Sequence, residues 1–429
     1  MQLPALALIL AAVFVWAVMS GRARVISAPI FFVAVGLLLA EGVKLLHLAS
    51  DPHLVKLLAE VTLVWVLFAD ASRVQIGTLR QDAARYLRLL GIGLPLTVAL
   101  GTLLAIVLLD LSPWYALLLG AALAPTDAAL GAAVMTDQRV PASIRQTLNV
   151  ESGLNDGLAT PIVTTALAAI LIQSGAGSGF GLLQAVLGLP LGVVVGLAIG
   201  IAGGTALRLA HRRGWSSEDI AGPAVLALAL LSFVLATMLF ANGYVAAFVA
   251  GIAFGSTAGR GGETEVYYVE QSCGLASMLC WLLFGAVAVP RLFADWSWQI
   301  LAYAVASLTV IRILPVLVAL IGDRLDWRSK LFVGWFGPRG LASVVFALIA
   351  MEDLHGISGA VDVAVATIGL TVLASVLLHG LSAQPLVARY AARRTLEQPA
   401  APVPEPSPTV PVRHLVRPSR AHQPVEPPV

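Results

Sequence analysis

Long apolar stretches alternate with short polar segments along most of the chain. A helix needs about 20 mostly apolar residues to cross a bilayer, and on that basis the pattern predicts thirteen membrane spans. They lie near residues 3–20, 25–40, 54–72, 86–109, 113–135, 144–172, 180–207, 220–240, 243–257, 268–290, 296–321, 329–350 and 360–386. The pattern therefore predicts an all-α polytopic membrane protein.

The apolar pattern stops near residue 391. The segment that follows is rich in Pro (APVPEPSPTVPV) and has no apolar periodicity that could form a core. We therefore expect a transmembrane domain over residues 1–390 and a disordered cytoplasmic tail over residues 391–429. The N-terminus, MQLPALALIL, lacks the basic region of a cleaved signal, so the first helix is expected to remain as an anchor.

Composition excludes several classes of protein. Hydrophobic residues make up 59% of the chain and charged residues only 12%, whereas a soluble domain has about a quarter of its residues charged. A formal net charge of +2 is too small to indicate a nucleic-acid partner. Cys273 and Cys280 lie in one apolar stretch, where we expect them to pack rather than to form a disulfide or a zinc site. No cofactor is predicted.

Basic residues predict the orientation, because Lys and Arg concentrate in cytoplasmic loops. Alternate loops contain eighteen of them, and the loops on the opposite side contain Lys44, Lys56 and Arg291 alone. This bias places the N-terminus outside and the C-terminus in the cytoplasm of a cell membrane, and it supports the predicted number of spans.

Ionisable residues inside membrane spans are costly and are usually functional. Span five contains Pro125, Thr126 and Asp127 near its middle, where Pro removes a helical N–H and frees a carbonyl group. Span six begins with the sequence NVESGLNDG. Within it Ser152 and Asp156 are four residues apart, so their oxygen atoms lie one above the other on the helix. Carboxylate, hydroxyl and freed carbonyl oxygens suit a hard monovalent cation.

Span twelve is interrupted by FGPRG, with Gly337, Pro338, Arg339 and Gly340 at mid-depth. Spans five and twelve are seven apart and therefore have opposite orientation. This relation predicts two inverted six-helix repeats with discontinuous helices five and twelve, an arrangement typical of a midplane transport site. A buried Arg requires a partner, and Glu151 is the expected partner of Arg339.

At these residues the chain resembles the monovalent cation/proton antiporter family, in its NhaP/NHE-type sodium/proton exchanger branch. The motifs that carry the resemblance are PTDAALG, ESGLNDG, NGYVAAFVAGIAFG and FGPRGLA, in spans five, six, nine and twelve. The resemblance covers roughly residues 1–390. It implies that Asp156 is the carboxylate that binds the cation or the proton, and that Asn155 stabilises the helix beside it and marks an electroneutral exchanger. Further ligands implied by the resemblance are Ser152, Asp127 and the main-chain carbonyl of Thr126, with Glu151 and Arg339 as a structural ion pair.

Several residues have a second interpretation. Asp127 could cap a helix at the break, and the Ser152 hydroxyl could bond to its own helix. Asp70 in span three stands where some relatives have a Glu ligand, and it could equally be a capped helix end neutralised by Arg73. Arg312 is expected to be a structural partner for an acid or a carbonyl, and His379 a hydrogen-bonded packing residue.

Three functional classes fit a polytopic membrane protein. An intramembrane hydrolase would need a metal motif, a GxSxG nucleophile or a protease-like acid pair; the first two do not occur, and Asp127 with Asp156 lacks the protease signature. A channel or sensor would need a pore-lining repeat or a folded soluble domain, and the tail is too short and Pro-rich to be such a domain. The two interrupted helices and the buried carboxylates favour an antiporter, and the resemblance implies that it exchanges Na⁺, with Li⁺ or K⁺ as alternatives, for H⁺. We expect alternating access at one competitive site. By resemblance, spans four to six and eleven to thirteen would move, and the chain would form a homodimer in the lipid bilayer.

Overall fold

The computed structural model describes residues 3–20, 27–42, 52–74, 82–176, 181–215, 218–259, 262–294 and 296–397. Every regular element in these ranges is a helix, as the apolar pattern predicted. The letters a and b mark the two parts of an interrupted helix. The helices are α1 Leu3–Met19, α2 Ala28–Gly42, α3 Pro52–Ser72, α4 Ala83–Leu109, α5a Pro113–Ala122, α5b Ala128–Met135, α6 Ala142–Gln173, α7 Gly181–Arg212, α8 Glu218–Met238, α9 Gly243–Thr257, α10 Gly262–Ala294, α11a Trp298–Leu308, α11b Val310–Ala319, α12a Trp327–Trp335, α12b Leu341–Asp353 and α13 Ala360–Glu397.

By length and composition, seven helices in the described residues could cross a membrane. They are α4, α6, α7, α8, α10, α11 with its two parts together, and α13. The helices α1, α2, α5a and α9 are apolar but shorter. The predicted membrane architecture is therefore confirmed, and the number thirteen stays a prediction.

The last helix runs further than the pattern predicted. Helix α13 continues to Glu397, so the first residues of the predicted tail are helical. Its segment AARRTLE contains good helix formers and no Pro. The remainder of the predicted tail lies outside the described residues.

Buried apolar side chains form two clusters. The larger one contains residues of most helices, among them α2, α3, α5a, α6, α9, α10, α12b and α13. The smaller one includes Ile144, Val316, Phe332 and Val387, from α6, α11b, α12a and α13. Cys273 and Cys280 are buried, as the packing interpretation predicted. Helices α5 and α12 therefore each have one part in the larger cluster and the other part in the smaller one. This packing holds their breaks in place between the two clusters.

Close backbone contact joins α7 to α9. Gly192, Gly196 and Gly200 lie four residues apart on α7, and a Cβ atom on each would stand within 2.4 to 2.7 Å of a carbonyl oxygen of Asn242, Ala246 or Ala250. A side chain larger than hydrogen would separate the two helices. Small residues at this spacing are a common means of helix packing in membranes.

Candidate ion-binding site at the crossing of two interrupted helices

Both predicted interruptions are present. Helix α5a ends at Ala122 and α5b begins at Ala128, while α12a ends at Trp335 and α12b begins at Leu341. Pro125 and Pro338 explain the breaks, because Pro lacks an N–H and disfavours helical geometry in the residue before it. Each break leaves backbone donors and acceptors that need partners inside the protein.

The two breaks cross and satisfy each other's backbone groups. The Asp127 N–H donates to the Pro338 carbonyl at 2.8 Å. The Ser343 hydroxyl donates to the Ala122 carbonyl at 2.6 Å, and Arg339 Nη1 donates to the Ala124 carbonyl at 3.2 Å. Carbonyls freed at the end of α5a are therefore bound by side chains of α12b and its approach.

Asp127 caps two helices at once. Its Oδ1 accepts from the N–H groups of Ala129 and Leu130 at 2.8 and 3.2 Å, and its Oδ2 accepts from the Leu341 N–H at 2.8 Å. A carboxylate at a helix N-terminus is stabilised by the helix dipole, and here two N-termini share one carboxylate. The capping role considered as the alternative for Asp127 is thus observed. These bonds use three of about four acceptor positions of the carboxylate.

Two glycines in the α12 break allow Asp127 and Arg312 to pack closely against its backbone. A Cβ atom on Gly340 would stand 2.1 Å from Asp127 Oδ2, and one on Gly337 would stand 2.3 Å from Arg312 Nε. Neither distance is compatible with any other residue unless the neighbour moves. The FGPRG sequence therefore serves close packing as well as interruption of the helix.

Helix α6 places a polar network against the α5 break. Ser152 donates to the Thr126 carbonyl at 2.5 Å, Thr126 Oγ1 donates to Ser152 Oγ at 3.2 Å, and Asn155 Nδ2 donates to Thr126 Oγ1 at 2.7 Å. All three side chains are buried. The Ser152 hydroxyl therefore bonds across to Thr126, unlike the interpretation in which it bonds to its own helix.

Asp156 lies one turn beyond Ser152 on α6 and is only 6% exposed. Its main-chain carbonyl accepts the Thr160 hydroxyl at 2.6 Å. A carboxylate this deep in a membrane protein is costly when it is charged and unneutralised. The structure thus brings Thr126, Ser152 and Asn155 into contact, with Asp156 one turn further along α6 and Asp127 in the adjoining break.

The predicted pairing of Glu151 with Arg339 was wrong. Both oxygens of Glu151 accept from Arg312 of α11b, with Nη1 to Oε1 at 2.5 Å and Nη2 to Oε2 at 2.9 Å. Each of these two side chains is 5% exposed. The planar guanidinium of Arg312 matches the carboxylate with two parallel bonds. The sequence predicted an acid or a carbonyl as the partner of Arg312, and Glu151 is that acid.

Arg339 instead bonds to main-chain oxygens. It is fully buried, and besides the bond to Ala124 its Nη1 donates to the Gly337 carbonyl at 3.3 Å. Its own N–H donates to Ser375 Oγ of α13 at 2.7 Å. Arg339 therefore holds together the chain segments that cross, a role that we did not predict from the sequence.

His379 of α13 contacts the same break. Its Nε2 lies 2.9 Å from the Trp335 carbonyl at the end of α12a, and its Nδ1 lies 2.9 Å from the Ser375 carbonyl. His379 is buried and hydrogen-bonded, so the packing interpretation is confirmed. Ser375 was not predicted from the sequence, although it lies four residues before His379 and thus on the same helix face.

Asp70 lies near the network through its backbone. The position of a Cβ atom on Gly153 of α6 is 3.5 Å from the Asp70 carbonyl oxygen. Arg73, expected in one interpretation to neutralise Asp70, forms an ion pair with the buried Glu270 of α10. A ligand role for Asp70 stays a prediction.

Comparisons with known proteins identify the family. The family described as sodium/hydrogen exchanger, transmembrane, matches residues 8–389. A K⁺/H⁺ antiporter NhaP2 of Shewanella sp. (strain MR-4) is 26% identical over 334 residues, which are 77% of this chain and 57% of that protein. A probable Na⁺/H⁺ antiporter of Schizosaccharomyces pombe is 25% identical over 265 residues, which are 56% of this chain and 33% of that protein. The chain thus spans between a third and just over half of the length of these relatives.

Solved structures show the same fold. The structure of the sodium proton antiporter MjNhaP1 from Methanocaldococcus jannaschii at pH 8 superposes with a TM-score of 0.75 at 20% identity, covering 87% of this chain and 97% of that one. Family match and fold agree with the crossing of two interrupted helices described above. The chain is a member of the sodium/hydrogen exchanger transmembrane family.

Proposed function

We propose that this protein exchanges a monovalent cation for H⁺ across a membrane by alternating access at a single site centred on Asp156. The observation that carries the proposal is the burial of Asp156 beside the hydroxyl and amide network of Ser152, Thr126 and Asn155, where the two broken helices cross. A bare carboxylate is expensive to move through a low-dielectric barrier, whereas one that holds a cation or a proton is neutral. Exchange follows because only the neutral site crosses.

Each residue has a separate proposed role. Asp156 binds either the cation or the proton, and Ser152 and the Thr126 carbonyl supply further oxygens. Asp127 contributes at most the one acceptor position that its three capping bonds leave, so its larger role is to hold the crossing. Asn155 anchors Thr126 and adds no charge, which supports an electroneutral exchange of one cation for one proton.

Na⁺ is the first candidate for the cation, and K⁺ is the second. Similar proteins carry both descriptions, as Na⁺/H⁺ and as K⁺/H⁺ antiporters. We further propose that α4 to α6 and α11 to α13 form the moving core, that the other helices form the scaffold, and that the scaffold makes a homodimer in the cell membrane. The N-terminus would face outward and the C-terminus the cytoplasm.

The test compares Asp156→Asn with the parent protein in sealed proteoliposomes containing a pH-sensitive dye. Addition of Na⁺, Li⁺ or K⁺ to the parent should collapse an imposed pH gradient, and Asp156→Asn should abolish this flux while the protein still inserts and purifies as a folded species. Asp110→Asn is the matched control, because Asp110 is exposed and its φ of 52° is one that Asn tolerates. Undiminished flux in Asp156→Asn would refute the mechanism.

Membrane potential tests the stoichiometry. One cation for one proton moves no net charge, so a clamped potential of either sign should leave the exchange rate unchanged. The clamp uses potassium and valinomycin, and Na⁺ exchange is measured against matched potassium controls because potassium is itself a candidate substrate. A clear acceleration by voltage would contradict electroneutral exchange.

A further inference from the structure

Ion pairs join the proposed scaffold to the proposed moving core at one end of the helical bundle. Lys56 lies in the second turn of α3, and its Nζ is 2.5 Å from Oδ1 of Asp353, the last residue of α12b. The side chains of Lys56 and Asp353 are 30% and 22% exposed. Helix α3 belongs to the scaffold and α12b to the core, so movement of the core must break this pair.

A second ion pair spans the same boundary at the same end. Arg291 in the last turn of α10 places Nε 3.3 Å from Oδ1 of Asp362, in the first turn of α13. A hydrogen bond also crosses the boundary, because Asn242 at the start of α9 donates its Nδ2 to Thr164 of α6 at 3.0 Å. By the predicted orientation, these contacts lie at the outer face of the membrane.

Ion pairs at the opposite end have a different arrangement. Arg73, directly after α3, pairs with Glu270 of α10, within the scaffold, and Arg85 of α4 pairs with Asp323, which follows α11b, within the core. These pairs can persist while the core moves against the scaffold. A change of access would have to break the pairs that join the scaffold to the core.

Lys56 has a second carboxylate within reach on its own helix. Glu60 lies one turn further along α3, with its Oε1 3.9 Å from Lys56 Nζ, and it accepts the Tyr244 hydroxyl of α9 at 3.3 Å. Lys is a flexible point charge with three donors. If Asp353 withdraws with the core, Lys56 can turn to Glu60, so its charge keeps a partner in both positions.

We propose that Lys56 and Asp353 form an ionic latch that holds the outer end of the transport pathway closed, supported by Arg291 and Asp362, and that Lys56 transfers to Glu60 when this end opens. The inference rests on the proposed alternating access. Partly exposed pairs bias an equilibrium by up to about fivefold, which suits a latch that must open in every cycle.

The first experiment joins the two sides of the latch covalently. In a protein with Lys56→Cys and Asp353→Cys, a short bifunctional thiol reagent with a reducible link should stop exchange, and reductant should restore it. Background reaction is small because Cys273 and Cys280 are buried. Full exchange by the linked protein would overturn the latch.

The matched control joins two sites within the core. Arg139 Nη2 lies 3.2 Å from Gln384 Oε1 at the surface, so Arg139→Cys with Gln384→Cys can be linked in the same way. This link should leave exchange intact, because both residues would move together. Loss of exchange in this control as well would show that linking alone inactivates the protein and would overturn the inference from the first pair.

A second experiment does not depend on transport. Ala350, one turn before Asp353 on α12b and 2% exposed, is replaced by Cys as a reporter. Its labelling by a membrane-impermeant maleimide from outside should accelerate up to about fivefold in Asp353→Asn and remain unchanged in Asp110→Asn. Equal labelling rates in the parent and in Asp353→Asn would overturn the latch. If the parent shows no cation-dependent proton flux, the proposed function is contradicted. The labelling rates would still show whether the Lys56–Asp353 pair holds the outer end closed.

Discussion

The pairing of Glu151 with Arg312 leads to a quantitative prediction about stability. Two hydrogen bonds of 2.5 and 2.9 Å join side chains that are each 5% exposed. Glu151→Gln removes the negative charge and leaves a guanidinium that cannot release its proton. Loss of one partner from a buried ion pair costs about 3 to 5 kcal/mol, and two charge-assisted bonds of about 1.5 to 3 kcal/mol each give a similar figure.

The reverse substitution should cost less. In Arg312→Gln the remaining partner is a carboxylate, which can take up a proton and become neutral when it is left buried and alone. The double variant Glu151→Leu with Arg312→Leu removes both charges, and replacement of a whole buried pair by apolar residues is often nearly neutral. The expected order of stability is therefore parent and double variant highest, Arg312→Gln next and Glu151→Gln lowest.

Thermal unfolding of the purified protein in detergent, followed by tryptophan fluorescence, measures this order. Arg139→Gln is the control, since Arg139 pairs with Asp137 at the surface with a side chain that is 50% exposed, and it should melt like the parent. The reasoning is refuted if Glu151→Gln melts like the parent, or if the double variant loses as much stability as the two single variants together.

Three further predictions concern the crossing, the loop between α11b and α12a, and the competition for the site. Gly340→Ala should destabilise the protein and reduce exchange, because its Cβ would stand 2.1 Å from Asp127 Oδ2, whereas Gly359→Ala, with open space around it, should do neither; melting and flux assays test both. Burial raises the pKa of Asp323, but hydrogen bonds from a backbone N–H and from Arg85 outweigh it and hold the pKa below its ordinary value of 3.8. The charged form therefore stabilises the folded protein above that value and loses this effect as the pH falls through the lowered pKa, so the stability lost in Asp323→Asn at neutral pH should shrink in acid; an unchanged difference would contradict the assignment. Finally, protons and cations should compete, so acidification should raise the apparent KM for the cation with little change in maximal rate, and exchange should fall at both extremes of pH; a KM independent of pH would exclude a shared site.

Local patterns in the sequence determined the architecture and the position of the breaks. The apolar stretches predicted an all-helical membrane protein, since a backbone in lipid must bond within its own segment. Pro125 and Pro338 predicted the interruptions of α5 and α12, because the effect of Pro on a helix is independent of tertiary contacts. The motifs around Asp127 and Asp156 were enough to indicate the family.

Tertiary structure alone decided which groups meet across the crossing. Arg312 and Arg339 both lie in apolar stretches, and nothing in their local sequence shows which of them pairs with Glu151. The actual partner, Arg312, is 161 residues away from Glu151 in the chain. The double capping by Asp127 likewise depends on the N-terminus of α12b, which lies more than 200 residues along the chain and reaches Asp127 only because Gly340 allows close approach. Periodicity and propensity act over a few residues, whereas ion pairs and shared caps depend on how the helices pack in three dimensions.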